Sequence, residues 1–184
     1  WHGQMTTAIA AGNGAMSSGR YRGFAPEARV LPIKVGRGDG RIPEQDILAG
    51  LQWLLEDDRW ELFNVRVLNI SIGGDFDQPW HRNPVCLAAE ALSARGVLVV
   101  AAAGNRAAEL LVAPAQSPSV LTVGGVDDGN RPVPPARAAA GADDLALYHH
   151  NFGVVWGEHG LQHKPDLLAP SAWLPGPILP VSPI

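Results

Sequence analysis

The spacing of apolar residues along the chain predicts two amphipathic helices. The first begins at Pro43, a residue that suits the first turn of a helix, and its apolar residues recur three and four positions apart. The second begins after Asn83, a favourable capping residue, and ends at Gly96. The two apolar faces consist of Ile47, Leu48, Leu51, Leu54 and Leu55 in the first helix, and of Val85, Ala88, Ala91 and Leu92 in the second.

Uninterrupted apolar runs predict the strands of a parallel sheet. Residues 97–100 are apolar without alternation, which is typical of a strand buried on both faces. Residues 65–72 and 119–126 are also predicted as strands, and so are residues 29–35, where Pro32 indicates an edge position or a local break. Because strands and helices alternate at short spacing, the sequence predicts an α/β domain with right-handed crossovers.

Other parts of the chain have weaker patterns. Small residues and an apolar pair four positions apart, within residues 5–11, predict a short, closely packed helix that ends at Gly12. Residues 131–144, rich in proline and alanine, predict a loop, and residues 153–156 predict a short strand. We expect the proline-rich tail, residues 171–184, to be irregular.

The composition limits the classes of protein to which the chain can belong. Of its 184 residues, 46% are hydrophobic and 17% are charged, which predicts one folded domain with a large core. The net charge of -4, with no basic block, argues against nucleic acid as a partner. No apolar run reaches membrane-spanning length, so we expect no membrane partner. Cys86 is the single cysteine, which excludes an internal disulfide.

One stretch combines a predicted strand with candidate chemistry. Within residues 101–105 the side chains shrink to three alanines and a glycine, so that another group can lie close to the backbone. Asn105 follows at the carboxyl end of the strand, where α/β sheets bind ligands. Its amide is an uncharged donor that suits a developing oxyanion. From these residues alone, an ordinary buried strand followed by an asparagine turn explains the stretch equally well.

Six segments, in chain order, resemble landmarks of the subtilisin-like serine proteases, the subtilases. His2-Gly3 at a helix start resembles the motif of the family's catalytic histidine, and residues 101–105 match its Ala-Ala-Gly-Asn oxyanion segment. Residues 68–74 are similar to its Asn-x-Ser-x-Gly-Gly strand. The other landmarks are residues 23–28 with the strand at 31–35, residues 118–124 and residues 164–170, while Phe152-Gly153 resembles a remnant of a Phe-Ser-x-x-Gly turn.

The resemblance covers residues 1–170 and implies a three-layer αβα fold with a mostly parallel subtilisin-like sheet. In the family's order an Asp precedes the His, and the nucleophilic Ser follows in a Gly-Thr-Ser-Met-Ala helix. Residues 1–184 contain neither of these two segments. We therefore expect the chain to be a partial subtilase catalytic domain, incomplete at both ends and unable by itself to hydrolyse peptides.

The resemblance also implies roles for individual residues. His2 would act as general base and then as general acid in a nucleophilic serine mechanism, and Asn105 would donate to the oxyanion. An extended edge would pair with the substrate backbone, and small residues would keep the first specificity pocket open for an apolar side chain. The edge consists of Ser71, Ile72 and Gly73, and the pocket residues are Ala101, Ala102 and Gly104.

Two alternatives stay open. Gln4 and Met5 stand where the family usually has Thr and then a His or a small apolar residue, and Thr6 and Thr7 replace a usual Val-Ala pair. The chain could therefore come from a catalytically inactive relative that binds peptide or protein. The second alternative is an unrelated doubly wound nucleotide-binding domain, which the lack of a phosphate loop in the sequence disfavours.

We expect no cofactor and no metal site from these residues. The family often binds structural calcium in loops, but no spaced set of acidic ligands can be assigned here. His159 and His163 are four positions apart, yet Gly160 and Pro165 break the helix that a metal-binding pair would need. The partner that the resemblance implies is an extended peptide or protein substrate, and the implied location, by family default, is secreted or extracytoplasmic.

Overall fold

The computed structural model of the chain describes residues 2–74, 78–128, 146–172 and 174–177, except for the side chains of residues 146–148. The loop predicted for residues 131–144 lies outside the described residues. Of the tail, residues 171–172 and 174–177 are described, and they form neither helix nor strand.

The described ranges contain two helices that confirm the predicted amphipathic pair, together with two further α-helices. The α-helices are α1 (His2–Ala11), α2 (Glu44–Leu55), α3 (Arg59–Leu62) and α4 (Pro84–Ser93), and single 3-10 turns lie at Ala15–Ser17, Glu56–Asp58 and Trp80–Arg82. Helices α2 and α4 are the predicted pair. Asn83 caps α4 as expected, because its Oδ1 accepts hydrogen bonds from the amides of Val85 (2.9 Å) and Cys86 (3.2 Å).

The described strands form a mostly parallel sheet and a separate hairpin. The sheet contains β1 (Val67–Ile70), β2 (Leu98–Ala102), β3 (Leu121–Asp127), β4 (Ala146–Tyr148) and β7 (Leu167–Pro170), and the hairpin contains β5 (Gly153–Gly157) and β6 (Gly160–Lys164). Strands β1, β2 and β3 pair in parallel in that order. Strand β3 then pairs with β7 in parallel and with β4 in antiparallel orientation. The predicted α/β class with a mostly parallel sheet is confirmed.

The apolar core lies between one face of the sheet and helices α2 and α4. The ladder pairs Leu68 with Val99 and Ile70 with Ala101, which places these four side chains on one face. The buried core comprises Ile47, Leu51 and Leu54 of α2, Val85, Cys86, Ala88, Ala89 and Leu92 of α4, and Ile70, Val97, Val99, Ala101, Ala113, Ala115 and Val120 in or beside the sheet. The apolar faces predicted from residue spacing therefore form the core.

Strand β2 confirms the strand predicted at residues 97–100, but the prediction that both of its faces are buried is wrong. Burial alternates along β2, so that Val99 and Ala101 are buried while Leu98 is 47% exposed. Val67, the partner of Leu98 on β1, is exposed as well. Since α2 and α4 pack on the face that carries Val99, the opposite face stays partly open in the described structure.

Residues 29–35 do not form a strand, so that prediction is wrong. They make no ladder with any other described segment. Ile33 and Val35 pack against the core beside α2, where Gly50 leaves room for them, whereas Val30 and Leu31 are exposed. A strand requires a hydrogen-bonded neighbour, and none of the described strands supplies one here.

Helix α1 ends at the predicted place, but it is not closely packed. The amides of Phe24 and Ala25 donate to the carbonyl oxygens of Ile9 (3.2 Å) and Ala10 (2.8 Å), so the following loop satisfies the last turn of the helix. None of the residues of α1 is buried. The expectation of close packing is therefore wrong for the side chains of α1 in the described structure.

Candidate active site

Two cavities lie side by side at the carboxyl ends of β1 and β2. The Asn105 cavity has a volume of about 660 Å³ and is lined by the end of β2 and the residues that follow it. The His2 cavity has a volume of about 480 Å³ and lies between α1, α2 and β1. Asn69 and Ser71 line both cavities. The end of β1 is therefore the wall between them.

The His2 cavity runs between two backbone edges. His2 is the first residue of α1 and lines the cavity with Gly3 and Thr6. Residues 33–37 line one side and residues 68–72 line another. Because consecutive residues of a strand point to opposite faces, a wall of five consecutive residues follows the edge of a strand. Along this edge β1 has no partner among the described strands.

The Asn105 cavity contains the residues that the sequence analysis assigned to the specificity pocket. Ala101, Ala102 and Gly104 line it together with Asn105. The side chain of Ala101 is buried in the core on the other face of the sheet, so this residue presents its backbone to the cavity. Backbone and small side chains thus form the wall below Asn105, as expected for a surface that another group approaches closely.

The predicted substrate-binding edge lies only partly at these cavities. Ser71 and Ile72 line the His2 cavity, and Gly73 lines neither cavity. A Cβ on Gly73 would lie 3.1 Å from Val112, so this glycine packs against the chain on its other side. The structure brings His2 to the same cavity as Ser71 and Ile72, but it places Asn105 in the neighbouring cavity. His2 and Asn105 therefore line two separate cavities that share Ser71, and they do not line one common groove.

Asn69 was not selected by the sequence analysis, although it belongs to the recognised Asn-x-Ser motif. Its Nδ2 donates to the hydroxyl oxygen of Ser71 at 2.9 Å. Since the hydroxyl oxygen accepts this bond, its own hydrogen is available to donate to another group. Asn69 therefore sets the direction of a polar group that stands between the two cavities.

The sequence analysis also assigned no role to His150, at the Asn105 cavity, or to Asn151, beside the loop that contains Asn105. His150 lines the cavity, and its Nδ1 is 3.0 Å from the carbonyl oxygen of Gly125. Asn151 is buried next to the loop that contains Asn105, and its Oδ1 accepts a hydrogen bond of 2.8 Å from the amide of Arg106. The one signal in the sequence near these residues is the family resemblance of Phe152-Gly153, and it does not predict the contacts of His150 or Asn151.

The other candidate residues do not form a competing site. Cys86 lies in the core, and burial raises the pKa of its thiol, so the sulfur is kept in the unreactive protonated form. The described ranges contain no group of three His, Cys, Asp or Glu side chains arranged to hold a metal ion. No helix within those ranges has both the length and the hydropathy of a membrane span.

Comparison with known proteins identifies the class to which this fold and site belong. The model of the subtilase family matches residues 1–175. The serine protease AprX of Bacillus subtilis (strain 168) is 34% identical over 176 residues, covering 92% of this chain and 37% of AprX. The chain belongs to the subtilase family, which confirms the resemblance seen in the sequence.

Solved structures agree with this assignment. The self-cleaved protease domain of PatA is 28% identical with a TM-score of 0.62, over 92% of this chain and 53% of that domain. Sphericase is 20% identical with a TM-score of 0.68, over 95% of this chain and 55% of the sphericase chain. At this identity the likeness supports the fold alone. The chain thus spans 37% of the length of AprX, and 53% and 55% of the lengths of the two solved structures.

Proposed function

We propose that this chain supplies the general base and the oxyanion donor of a subtilisin-like serine endopeptidase. The observation that carries the proposal is the adjacency of the His2 and Asn105 cavities, which share Asn69 and Ser71. The Asp and the nucleophilic Ser of the triad are proposed to come from segments outside this chain. The catalytic centre would then form around Ser71, where the two cavities meet.

In this mechanism His2 accepts the proton of the serine hydroxyl while the oxygen attacks the peptide carbonyl carbon. The carbonyl oxygen becomes an oxyanion, and the Nδ2 of Asn105 donates a hydrogen bond to it. The imidazolium of His2 then gives its proton to the leaving amine. Water, activated by the same base, releases the acyl group from the serine and completes the hydrolysis of the peptide bond.

The unpaired edge of β1 favours the addition of a strand that carries the proposed Asp. The His2 cavity is bounded by residues 33–37 and 68–72, and neither run pairs with a described strand along this side. A strand inserted between these edges would hydrogen-bond to both of them. In the proposed protein this strand carries the Asp, which orients the imidazole of His2. The same insertion would make residues 29–35 a paired strand, as their sequence predicts.

The residues that follow β1 support binding of an extended substrate. Pairing of β1 with β2 ends at Ile70 and Ala101, so the chain from Ser71 onwards continues beyond the ladder. Its backbone groups suit the addition of a substrate strand. Ala102 and Gly104 would then form the first specificity pocket, which small side chains keep open. Secretion, which the family resemblance implies, stays a prediction.

The departures of Gln4–Thr7 from the family pattern favour a second candidate, an inactive relative that binds peptide without cleaving it. These residues lie on α1 directly after His2, and Thr6 lines the His2 cavity. A bulkier residue after His2-Gly3 would displace the imidazole from its Asp. Binding of an extended peptide would survive this change, whereas hydrolysis would not.

Steady-state hydrolysis of a chromogenic peptide by the full-length protein tests the proposal. Asn105→Ala should lower kcat by about 10²–10³-fold with little change in KM, as found for such a donor in a subtilisin. His2→Ala should lower kcat further, by about 10⁶-fold. The matched control is His159→Ala, because His159 is exposed in the turn between β5 and β6 and lines neither cavity. Peptide binding without hydrolysis by the wild-type protein would favour the inactive relative, and a normal kcat for Asn105→Ala would contradict the proposed role.

A further inference from the structure

The loop that contains Asn105 is held by a segment more than 40 positions away in the chain. Residues 104–109 follow β2 and lie alongside residues 149–152. The amide of Ala107 donates to the carbonyl oxygen of His149 (3.0 Å), and the amide of Phe152 donates to that of Ala108 (3.0 Å). These bonds hold the loop at Ala107 and Ala108. The position of Asn105 depends in addition on the contacts of its two neighbours, Gly104 and Arg106.

Asn151 bonds to both neighbours of Asn105. Its backbone amide donates to the carbonyl oxygen of Gly104 at 3.2 Å, and its Oδ1 accepts from the amide of Arg106 at 2.8 Å. Asn151 is only 2% exposed, so water does not replace these partners readily. The peptide groups before and after Asn105 are therefore fixed by one residue, which limits rotation of the backbone that carries the Asn105 side chain.

Gly104 makes this close approach sterically feasible. Its φ of 105° is in the left-handed region, and a Cβ built on it would lie 2.5 Å from the Nδ2 of Asn151. A side chain at position 104 would therefore displace the Asn151 amide. Gly104, two residues beyond β2, therefore lines the Asn105 cavity and also leaves room for the Asn151 side chain against the loop.

We infer that Asn151 is a positioning residue that holds Asn105 in the geometry required of an oxyanion donor. The inference rests on the proposed function, since it assigns a support to the donor named there. A donor is effective only when it is aimed in advance at the place where negative charge develops. A neutral amide supplies the acceptor for Arg106 without adding a negative charge beside the oxyanion.

Kinetics of Asn151→Ala in the full-length protein test the inference. Removal of the side chain frees the Arg106 amide, so kcat should fall by about 10–100-fold while KM changes less than about twofold. Asn83→Ala is the matched control, because Asn83 is equally buried, its Oδ1 also accepts from backbone amides, and it lines neither cavity. It should lower stability and leave kcat unchanged. Asn151→Ser, whose hydroxyl is shorter than the amide, should show the same loss of kcat if the alanine variant does not fold.

A double-mutant cycle separates a positioning role from a general structural one. If Asn151 acts through Asn105, then Asn151→Ala should change kcat less than about twofold in an Asn105→Ala background. An equal loss of kcat in both backgrounds, or no loss in the wild-type background, would overturn the inference. The proposed function fails by a different result, namely a normal kcat for Asn105→Ala or no hydrolysis by the wild-type protein.

Hydrogen exchange at the Arg106 amide tests the hydrogen bond from this amide to Asn151 without a measurement of activity. In Asn151→Ala this amide loses its acceptor and should exchange at least about tenfold faster than in the wild-type protein, while exchange in α4 stays unchanged. Unchanged protection of the Arg106 amide would show that Asn151 does not hold this part of the loop, and it would refute the positioning role even if the kinetic results agreed with it.

Discussion

The core beneath the sheet and the loops around the Asn105 cavity are stabilised in different ways. In the core, α2 and α4 pack apolar side chains against Ile70, Val99 and Ala101, and many small contacts share the stabilisation. Around the cavity, single polar groups fix the backbone, as Asn151 does beside Asn105. The core thus supplies stability, whereas the loops around the cavity supply geometry. A change in the core should therefore affect the free energy of unfolding, and a change in the loops should affect kcat.

The largest effect on stability is expected from removing apolar volume between α4 and the sheet. Leu92 is fully buried, so Leu92→Ala should lower the free energy of unfolding by about 2–5 kcal/mol through lost contacts and a residual cavity. Leu87→Ala on the same helix is the control, because Leu87 is exposed and should cost less than about 0.5 kcal/mol. Urea denaturation in a His2→Ala background, which prevents self-digestion under the proposed mechanism, measures both. Equal losses for the two variants would show that burial of Leu92 in the core contributes no extra stability.

A smaller effect is expected from the buried cation at the opposite end of the sheet. The Nζ of Lys164 is 2.7 Å from both the carbonyl oxygen of Val120 and the Oδ2 of Asp166, which also accepts from the amide of Thr122. Lys164→Met removes these donors and should cost about 2 kcal/mol of unfolding free energy. Lys34→Met, at the one other lysine in the sequence, is an exposed control that should change little. Stability unaltered by Lys164→Met would show that the network contributes nothing.

The smallest effect concerns the exposed pair of Arg37 and Asp46. The Nε of Arg37 donates to the Oδ2 of Asp46 at 2.6 Å, and this hydrogen bond holds the pKa of the carboxyl group below its ordinary value. A lowered pKa in the folded state stabilises the protein above the pKa of the unfolded state, about 4, and this contribution is lost as the pH falls through the lowered pKa. Arg37→Ala should therefore make stability less dependent on pH below about 4. Urea denaturation at several acidic pH values tests this, and Arg66→Ala is the exposed control. If the free energy of unfolding of Arg37→Ala depended on pH as strongly as that of the wild-type protein, the result would contradict the prediction.

The same division explains how much the sequence could predict. Helices α2 and α4 were predictable because residues such as Leu51 and Leu92 recur with the helical period and meet the core directly. Residues 29–35 were predicted as a strand from local composition, but strand pairing depends on a neighbour that the described structure does not contain. The open face at Leu98 was missed for a related reason, since an apolar run does not reveal what covers it.

Site geometry was harder to predict than the core. Asn105 was recognisable because its motif is local and ends a strand. The contact of Asn151 with Arg106 joins residues 45 positions apart, and no periodicity in the sequence encodes such a pair. The wall of Asn69 and Ser71 between two cavities was likewise not predictable, because it depends on how α1 and residues 33–37 lie against β1.

Active-site labelling of the full-length protein with a fluorophosphonate probe tests the central claim most directly, with the labelled residue identified by mass spectrometry. The proposed mechanism predicts rapid labelling of a single serine outside residues 1–184, and a large loss of labelling rate in His2→Ala because the serine has lost its general base. A folded wild-type protein in which no serine reacts, or in which labelling proceeds equally fast without His2, would contradict the account.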